Sequence, residues 1–127
     1  MPPVVLDASA VLALLLGEPG ADRVRARRAG AIISAVNYAE VLARTARLCG
    51  SPDEAARRVG QHEFAVIPFD RAAAAAAAAL EPAGRPLGLS LADRCCLALA
   101  AARRLPVLTA DRAWQHLSVD VAVELIR

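Results

Sequence analysis

The chain has 127 residues, of which 57% are hydrophobic, and its 15 basic and 13 acidic residues give a net charge of +2. That length favours one domain, residues 1–127, with a core that needs neither disulfides nor a structural metal. The hydrophobicity and low net charge exclude a disordered chain, and so small a charge is no argument for nucleic-acid binding. The three cysteines, Cys49, Cys95 and Cys96, are odd in number and fit neither a disulfide framework nor a zinc site, so we expect reduced thiols.

All 15 basic residues are arginine. Genomic base composition explains this, as it explains the abundance of alanine. Phosphate recognition explains it too, because arginine makes planar, bidentate contacts. The start of the chain lacks the basic segment of a signal peptide, and no apolar run reaches the roughly 18–20 residues that span a bilayer. We therefore expect a cytoplasmic protein without a membrane partner.

Short apolar runs alternate with helical patterns along the whole chain. Strands are predicted at residues 4–6, 31–33, 65–67, 107–109 and, less regularly, 120–124. Helices are predicted at residues 8–16, 21–28, 35–48, 51–61, 72–79, 90–104 and 111–117, with a loop at 82–88 that contains two prolines and two glycines. This alternation predicts an α/β fold: an α/β/α sandwich around a central, mostly parallel sheet of 4–5 strands.

Four acidic residues lie within or directly after these apolar segments. Asp7 and Asp111 follow the first and fourth strands, Glu40 lies in the third helix, and Asp93 lies in the first turn of the long helix before the fourth strand. Sites in parallel sheets form outside the carboxyl ends of strands, so all four can meet at one rim. Four carboxylates brought together would repel one another, and a divalent cation such as Mg²⁺ or Mn²⁺ removes that repulsion.

Each carboxylate also has a purely structural explanation. Asp7 and Asp111 can cap the helices that follow them. Glu40 can pair with Arg44 one turn later, and Ser90 with Asp93 fits a capping box. Against this, Val36, Val41 and Leu42 suggest that the helix of Glu40 is largely packed, where a carboxylate needs a partner.

Taken in order, the segments around these acids resemble the motifs of the PIN-domain ribonucleases, most of all the VapC-type toxins of bacterial and archaeal toxin–antitoxin pairs. The segments are residues 4–10 around Asp7, 34–42 around Glu40, 91–93 ending in Asp93, and 108–114 around Asp111. Trp114, shortly after the fourth acid, belongs to the same likeness. The resemblance covers nearly the whole chain, and four motifs in order are far more specific than one.

The resemblance implies a PIN fold and an endoribonuclease that depends on Mg²⁺ or Mn²⁺. By position it makes Asp7, Glu40 and Asp93 metal ligands, with Asp111 a ligand to a second ion or through water. It gives Ser9, Asn37 and Thr109 supporting or substrate-positioning roles. A metal-activated water would attack the phosphorus and leave 5′-phosphate and 3′-hydroxyl ends. The implied partners are an RNA substrate, a small cognate antitoxin and a second copy in a homodimer.

Arginines near the acidic motifs are candidates for gripping RNA: Arg44, Arg47, Arg94 and Arg112. Solvated charges or structural ion pairs are the alternative for each of them. Two other functions stay open. A phosphatase with Asp7 as nucleophile is disfavoured, because Ser9 stands where a second aspartate is usual and the chain has no lysine. A PIN module that binds RNA or protein without turnover is the alternative that a metal-dependent cleavage assay would separate.

Overall fold

Five parallel strands form the centre of the computed structural model, which describes residues 1–127. The strands are β1 (Val5–Leu6), β2 (Ile32–Ser34), β3 (Ala65–Ile67), β4 (Val107–Thr109) and β5 (Val123–Leu125). Their order across the sheet is β3-β2-β1-β4-β5, and every neighbouring pair is parallel. The prediction of an α/β fold with a parallel sheet is therefore confirmed.

Seven helices flank this sheet. They are α1 (Ala8–Leu16), α2 (Ala21–Arg27), α3 (Ala35–Cys49), α4 (Pro52–Gly60), α5 (Arg71–Ala79), α6 (Glu81–Gly84) and α7 (Leu91–Arg103). Two 3-10 turns complete the chain, at Arg85–Leu87 and Arg112–His116. None of these helices has both the length and the apolar character needed to cross a membrane.

Two sequence predictions were wrong in part. The segment 82–88, predicted as a loop, contains the end of α6 and a 3-10 turn, because a proline is tolerated in the first turn of a helix, where Pro82 and Pro86 lie. The last strand runs over Val123–Leu125 rather than 120–124. Its position is set by pairing with β4, where Val107 is opposite Val123 and Thr109 is opposite Leu125. This pairing is a contact between distant parts of the chain, so the residues around the strand do not by themselves show where it begins and ends.

The core lies on both faces of the sheet. One cluster packs α1, α2 and α3 against β1 and β2, and includes Leu6, Val11 and Ile33. The other packs α7 and the buried Trp114 against β1 and β4. Strand β1 is covered on both faces, with Leu6 in the first cluster and Val5 in the second, so packing on both sides fixes its end. Asp7 follows it directly.

The order of the strands reverses at β1: β2 and β3 lie on one side of it, and β4 and β5 lie on the other. A crevice forms outside the carboxyl ends of strands at such a point, and binding sites of open parallel sheets lie there. The site described below occupies this crevice.

Candidate active site

One cleft at the carboxyl end of the sheet brings the four sequence-predicted acids together. Asp7, Glu40, Asp93 and Asp111 all line this cavity of about 290 Å³. They reach it from β1, α3, α7 and the turn after β4. Ser9 and Arg44 line the same cleft.

Asp7 is the buried member of the group, with only 5% of its surface exposed. Its Oδ2 accepts hydrogen bonds from the hydroxyls of Ser9 (2.7 Å) and Thr109 (2.8 Å). Its side chain does not cap α1, so the capping explanation is wrong for this residue. Oδ1 accepts no hydrogen bond from the protein, which leaves that oxygen free for a ligand.

Burial raises the pKa of Asp7 from 3.8 to about 6. Hydrogen bonds from Ser9 and Thr109 act in the opposite direction, and the negative charges of Asp93 and Glu40 raise this pKa further. The same three carboxylates add to the effect of burial in raising the pKa of the Cys96 thiol beneath them. Glu40 and Asp93 are therefore close enough to Asp7 for their charges to act on it.

Asn37 connects Glu40 to the neighbouring helix. Its Nδ2 donates to Oε1 of Glu40 at 3.2 Å and to the backbone carbonyl of Ala92 at 3.0 Å. Asn37 is fully buried, whereas Glu40 is exposed at the rim, so the expectation of a packed Glu40 was wrong. The buried face of α3 carries Asn37, Val41 and Thr45, and Glu40 lies beside that face. The ion pair with Arg44, which was the alternative structural explanation for Glu40, is not formed.

Asp93 and Asp111 each combine a capping role with a place in the cleft. Oδ2 of Asp93 accepts from the backbone N–H of Ser90, and the Ser90 hydroxyl accepts from the N–H of Asp93, which completes the predicted capping box. Oδ1 of Asp111 accepts from the N–H of Ala113 at 3.0 Å. Each cap uses one carboxylate oxygen and leaves the other without a protein donor.

Thr109 and Ser9 join the ends of β1 and β4. The Thr109 hydroxyl accepts from the N–H of Asp111 at 3.0 Å, and the Ser9 hydroxyl accepts from the N–H of Ala110 at 2.9 Å. Thr109 is completely buried, so it acts on the cleft through Asp7 and not through direct exposure. These bonds fix the turn that carries Asp111.

Three of the four candidate RNA-binding arginines lie outside the cleft: Arg47, Arg94 and Arg112. Sequence reasoning missed three residues that do line it: Leu12, Glu18 and Arg127. Glu18 comes from the turn after α1, and Arg127 follows β5. Neither lies in a motif, so no local signal marked them.

The oxygen donors fit a hard divalent cation, but their arrangement is not yet that of a closed site. Carboxylates are the ligands that Mg²⁺ and Mn²⁺ prefer. Burial is the main cause of the raised pKa of Asp7, and the charges of Asp93 and Glu40 add to it, so a bound cation would favour the ionised carboxylate. No three His, Cys, Asp or Glu side chains are grouped closely enough to hold an ion as they stand. Glu40 and Asp111 are exposed, so rotation of their side chains is not opposed by packing.

The PIN-domain family model matches residues 4–120 of this sequence. The chain belongs to the PIN-domain family. PIN domains of VapC toxins are generally nucleases, and PIN-domain nucleases typically use divalent metals. No curated protein sequence matches the chain at a significant level.

Solved structures of VapBC and related complexes share the fold. The chain is similar to one from DNA-bound VapBC of Salmonella typhimurium, at 16% identity over 100% of both chains with a TM-score of 0.77. FitAcB from Neisseria gonorrhoeae matches at 26% identity over 94% of this chain and 95% of that chain, with a TM-score of 0.69. VapBC-5 from Mycobacterium tuberculosis matches at 27% identity over 98% of both chains, with a TM-score of 0.60. The resemblance to VapC-type PIN toxins is therefore confirmed.

Proposed function

We propose that the chain, acting as one PIN domain over residues 1–127, is a metal-dependent endoribonuclease and the toxin of a type II toxin–antitoxin pair. The observation that carries this proposal is the environment of Asp7. A buried carboxylate at the end of the central strand, held by two hydroxyls and flanked by the charges of Glu40 and Asp93, is costly unless it serves a bound cation.

Asp7, Glu40 and Asp93 would hold Mg²⁺ or Mn²⁺, and Asp111 would contact a second ion directly or through water. When bound, such an ion lowers the pKa of a coordinated water and offsets charge on the phosphate. The protein residues orient these ligands. Ser9 and Thr109 fix Asp7 and favour its ionised form, and Asn37 fixes Glu40. Arg44, which lies in the cleft without an ion pair, would contact the phosphate backbone.

The decisive test is cleavage of total cellular RNA by the purified protein in Mg²⁺, Mn²⁺ or EDTA. Asp7→Asn and Asp93→Asn remove the proposed ligands, and Asp53→Asn is the matched control because Asp53 is an exposed residue of α4 outside the cleft. We expect discrete, metal-dependent cuts from wild type and Asp53→Asn alone. End mapping should find 5′-phosphate and 3′-hydroxyl ends.

Three results would count against the proposal. Products with 2′,3′-cyclic phosphates would exclude attack by water. Cutting that survives both substitutions would mean a contaminant or a wrong site. Absence of cutting by folded, antitoxin-free protein would favour a PIN module that binds RNA or protein without turnover.

The proposed protein partner is a small antitoxin. Support comes from similar structures of toxin–antitoxin systems, among them a toxin–antitoxin complex from Klebsiella pneumoniae and VapBC-5 from Mycobacterium tuberculosis. A short open reading frame beside the gene, co-expressed with this chain, should copurify with it and suppress the cleavage. The family resemblance also supports a homodimer, which sedimentation of the purified protein would detect as twice the mass of the 13.3 kDa chain.

A further inference from the structure

Arg127 places a second cationic side chain in the acidic cleft. Among the charged residues that line the cleft, five are acidic (the four acids and Glu18) and two are basic, Arg44 and Arg127. They come from different parts of the fold, Arg44 from α3 and Arg127 from the segment after β5. A positively charged side chain in this cleft can contact a negatively charged strand that binds near the acids.

The backbone before Arg127 is held firmly. The N–H of Ile126 donates to the carbonyl of Thr109 at 3.0 Å, which continues the pairing of β5 with β4 beyond the strand. Ile126 is buried and packs against Gly20, where a Cβ atom would lie only 2.6 Å from the Ile126 carbonyl oxygen. The residue before Arg127 is therefore hydrogen-bonded to Thr109, which also orients Asp7.

The guanidinium of Arg127 is positioned but mostly unused. Nη1 donates to the carbonyl oxygen of Pro19 at 2.7 Å. Oε1 of Glu18 is 3.9 Å from Nη1, so the two side chains form an ion pair but no hydrogen bond. A guanidinium has five N–H donors, so most remain for a ligand. About 38% of the side chain is exposed, which leaves it accessible from the cleft.

We propose that Arg127 is a substrate-positioning residue that binds a backbone phosphate of the RNA strand beside the scissile one. The proposal rests on the function proposed above and deepens it by adding a residue that no motif marks. The planar fork of arginine matches two phosphate oxygens, whereas lysine offers a single point charge. The alternative is that Arg127 only offsets the negative charge of the cleft.

The experiment measures RNA binding apart from cleavage. A fluorescein-labelled single-stranded oligoribonucleotide is titrated with Asp7→Asn protein, which keeps the strand intact, and anisotropy is followed across a series of salt concentrations. Arg127→Gln and Arg127→Lys are added to that background. Arg71→Gln is the control, because Arg71 is an exposed residue of α5 without an ion pair and outside the cleft.

We expect Arg127→Gln to weaken binding about tenfold and to lower the slope of log K against log salt concentration by about 0.7, the value for one phosphate contact on a single strand. Arg127→Lys should keep the slope but recover only part of the affinity. Arg71→Gln should bind as its parent does. A role limited to offsetting charge predicts equal affinity for the lysine variant and the parent.

Two results would overturn the role of Arg127: unchanged affinity and slope in Arg127→Gln, or full affinity in Arg127→Lys. Failure of the oligoribonucleotide to bind any of these proteins would overturn it as well. The nuclease proposal fails separately, when the wild-type protein leaves RNA uncut in Mg²⁺ and Mn²⁺. Binding that depends on Arg127 without such cutting would retain Arg127 as an RNA contact of a non-catalytic module.

Discussion

The hydroxyl of Thr109 donates a 2.8 Å hydrogen bond to Oδ2 of Asp7 and so joins two residues 102 positions apart in the sequence. The bond links the ends of β1 and β4, neighbouring strands in which Leu6 is opposite Leu108. A hydrogen bond to a carboxylate favours its charged form, so Thr109 partly opposes the effect of burial on Asp7. Oδ1 of Asp7 accepts no hydrogen bond from the protein, and Asp7 lines the cleft.

Replacing Thr109 with valine tests this relationship, because valine has almost the same shape and lacks the hydroxyl. Loss of the hydrogen bond should raise the pKa of Asp7 further, by about one unit. If Asp7 must be ionised for cleavage, the acid limb of the pH–rate profile should move to higher pH by the same amount. The measurement is the initial rate of RNA cleavage between pH 5 and pH 9 at one fixed Mg²⁺ concentration below saturation, so that protons and metal still compete for Asp7.

Thr109→Ser is the matched control, since serine keeps the hydroxyl and should restore the wild-type acid limb. A simple loss of packing would lower the rate equally at every pH without moving the limb. An unshifted profile in Thr109→Val would mean that the hydroxyl does not tune Asp7.

Asp7 should destabilise the metal-free fold at neutral pH. Its pKa is about 6 in the folded protein against 3.8 in the unfolded chain, so between these values the folded state binds more protons. The free energy of unfolding therefore falls as pH rises from about 4 to about 6, and the loss is complete above that window. The two-unit shift corresponds to about 3 kcal/mol.

Asp7→Asn removes this penalty while its side-chain oxygen still accepts from Ser9 and Thr109. In EDTA at pH 7.5 we expect the variant to unfold at higher urea concentration than wild type, with the difference shrinking towards pH 4. Asp53→Asn, at an exposed site, should show no such pH-dependent gain. A variant less stable than wild type at pH 7.5 would contradict the assigned environment of Asp7.

Much of the fold could be predicted because buried parallel strands are short apolar runs bounded by helix caps. The side chains of Ser34, Ser51, Asp70 and Ser90 all cap the helices that follow them. Such signals act over three or four residues, which is why local sequence carries them. The order of the strands is different: it depends on packing across the sheet.

The site could be predicted only in part, because packing between distant segments places some of its residues. Asp7 and Asp111 could be placed at strand ends because the strands themselves were clear. The exposure of Glu40 could not be predicted, because Glu40 is the direct neighbour of the buried Val41 in α3. A small change in how the helix packs decides which of the two faces the core. Glu18 and Arg127 reach the cleft through contacts between distant segments, such as the donation from Arg127 to Pro19, and no spacing in the sequence encodes them.

Asn37 should couple the stability of the fold to metal affinity. It supplies the only hydrogen bond to the Glu40 side chain and also bridges to the carbonyl of Ala92, next to Asp93. Asn37→Leu removes both bonds at a fully buried position, and we expect a loss of about 1–3 kcal/mol in the free energy of unfolding. Because Glu40 is then no longer oriented, Mn²⁺ should bind more weakly.

Urea unfolding and calorimetric titration with Mn²⁺ measure these two effects. Gln115→Leu is the control, because Gln115 is an exposed amide that makes no side-chain hydrogen bond. A lower free energy of unfolding with unchanged Mn²⁺ affinity would show that Asn37 supports packing alone and does not orient Glu40.

Gly20 should be the glycine least tolerant of substitution. Its φ of 98° lies in the region that side chains disfavour, and an added Cβ would lie 2.6 Å from the carbonyl oxygen of Ile126. Gly17 also has a positive φ, 67°, but a Cβ there would contact nothing within 4 Å. Gly17→Ala should therefore cost about 1 kcal/mol, and Gly20→Ala should cost about 3 kcal/mol because backbone must move as well.

The displaced backbone in Gly20→Ala is the segment that carries Arg127, so the substitution should also weaken RNA binding. Urea unfolding measures the difference in stability, and anisotropy with the labelled oligoribonucleotide measures the difference in affinity. Equal stability losses in the two alanine variants would contradict the close packing of Gly20 on Ile126. A large stability loss in Gly20→Ala with unchanged RNA affinity, in protein that is still folded, would show that Arg127 does not depend on this contact for its position.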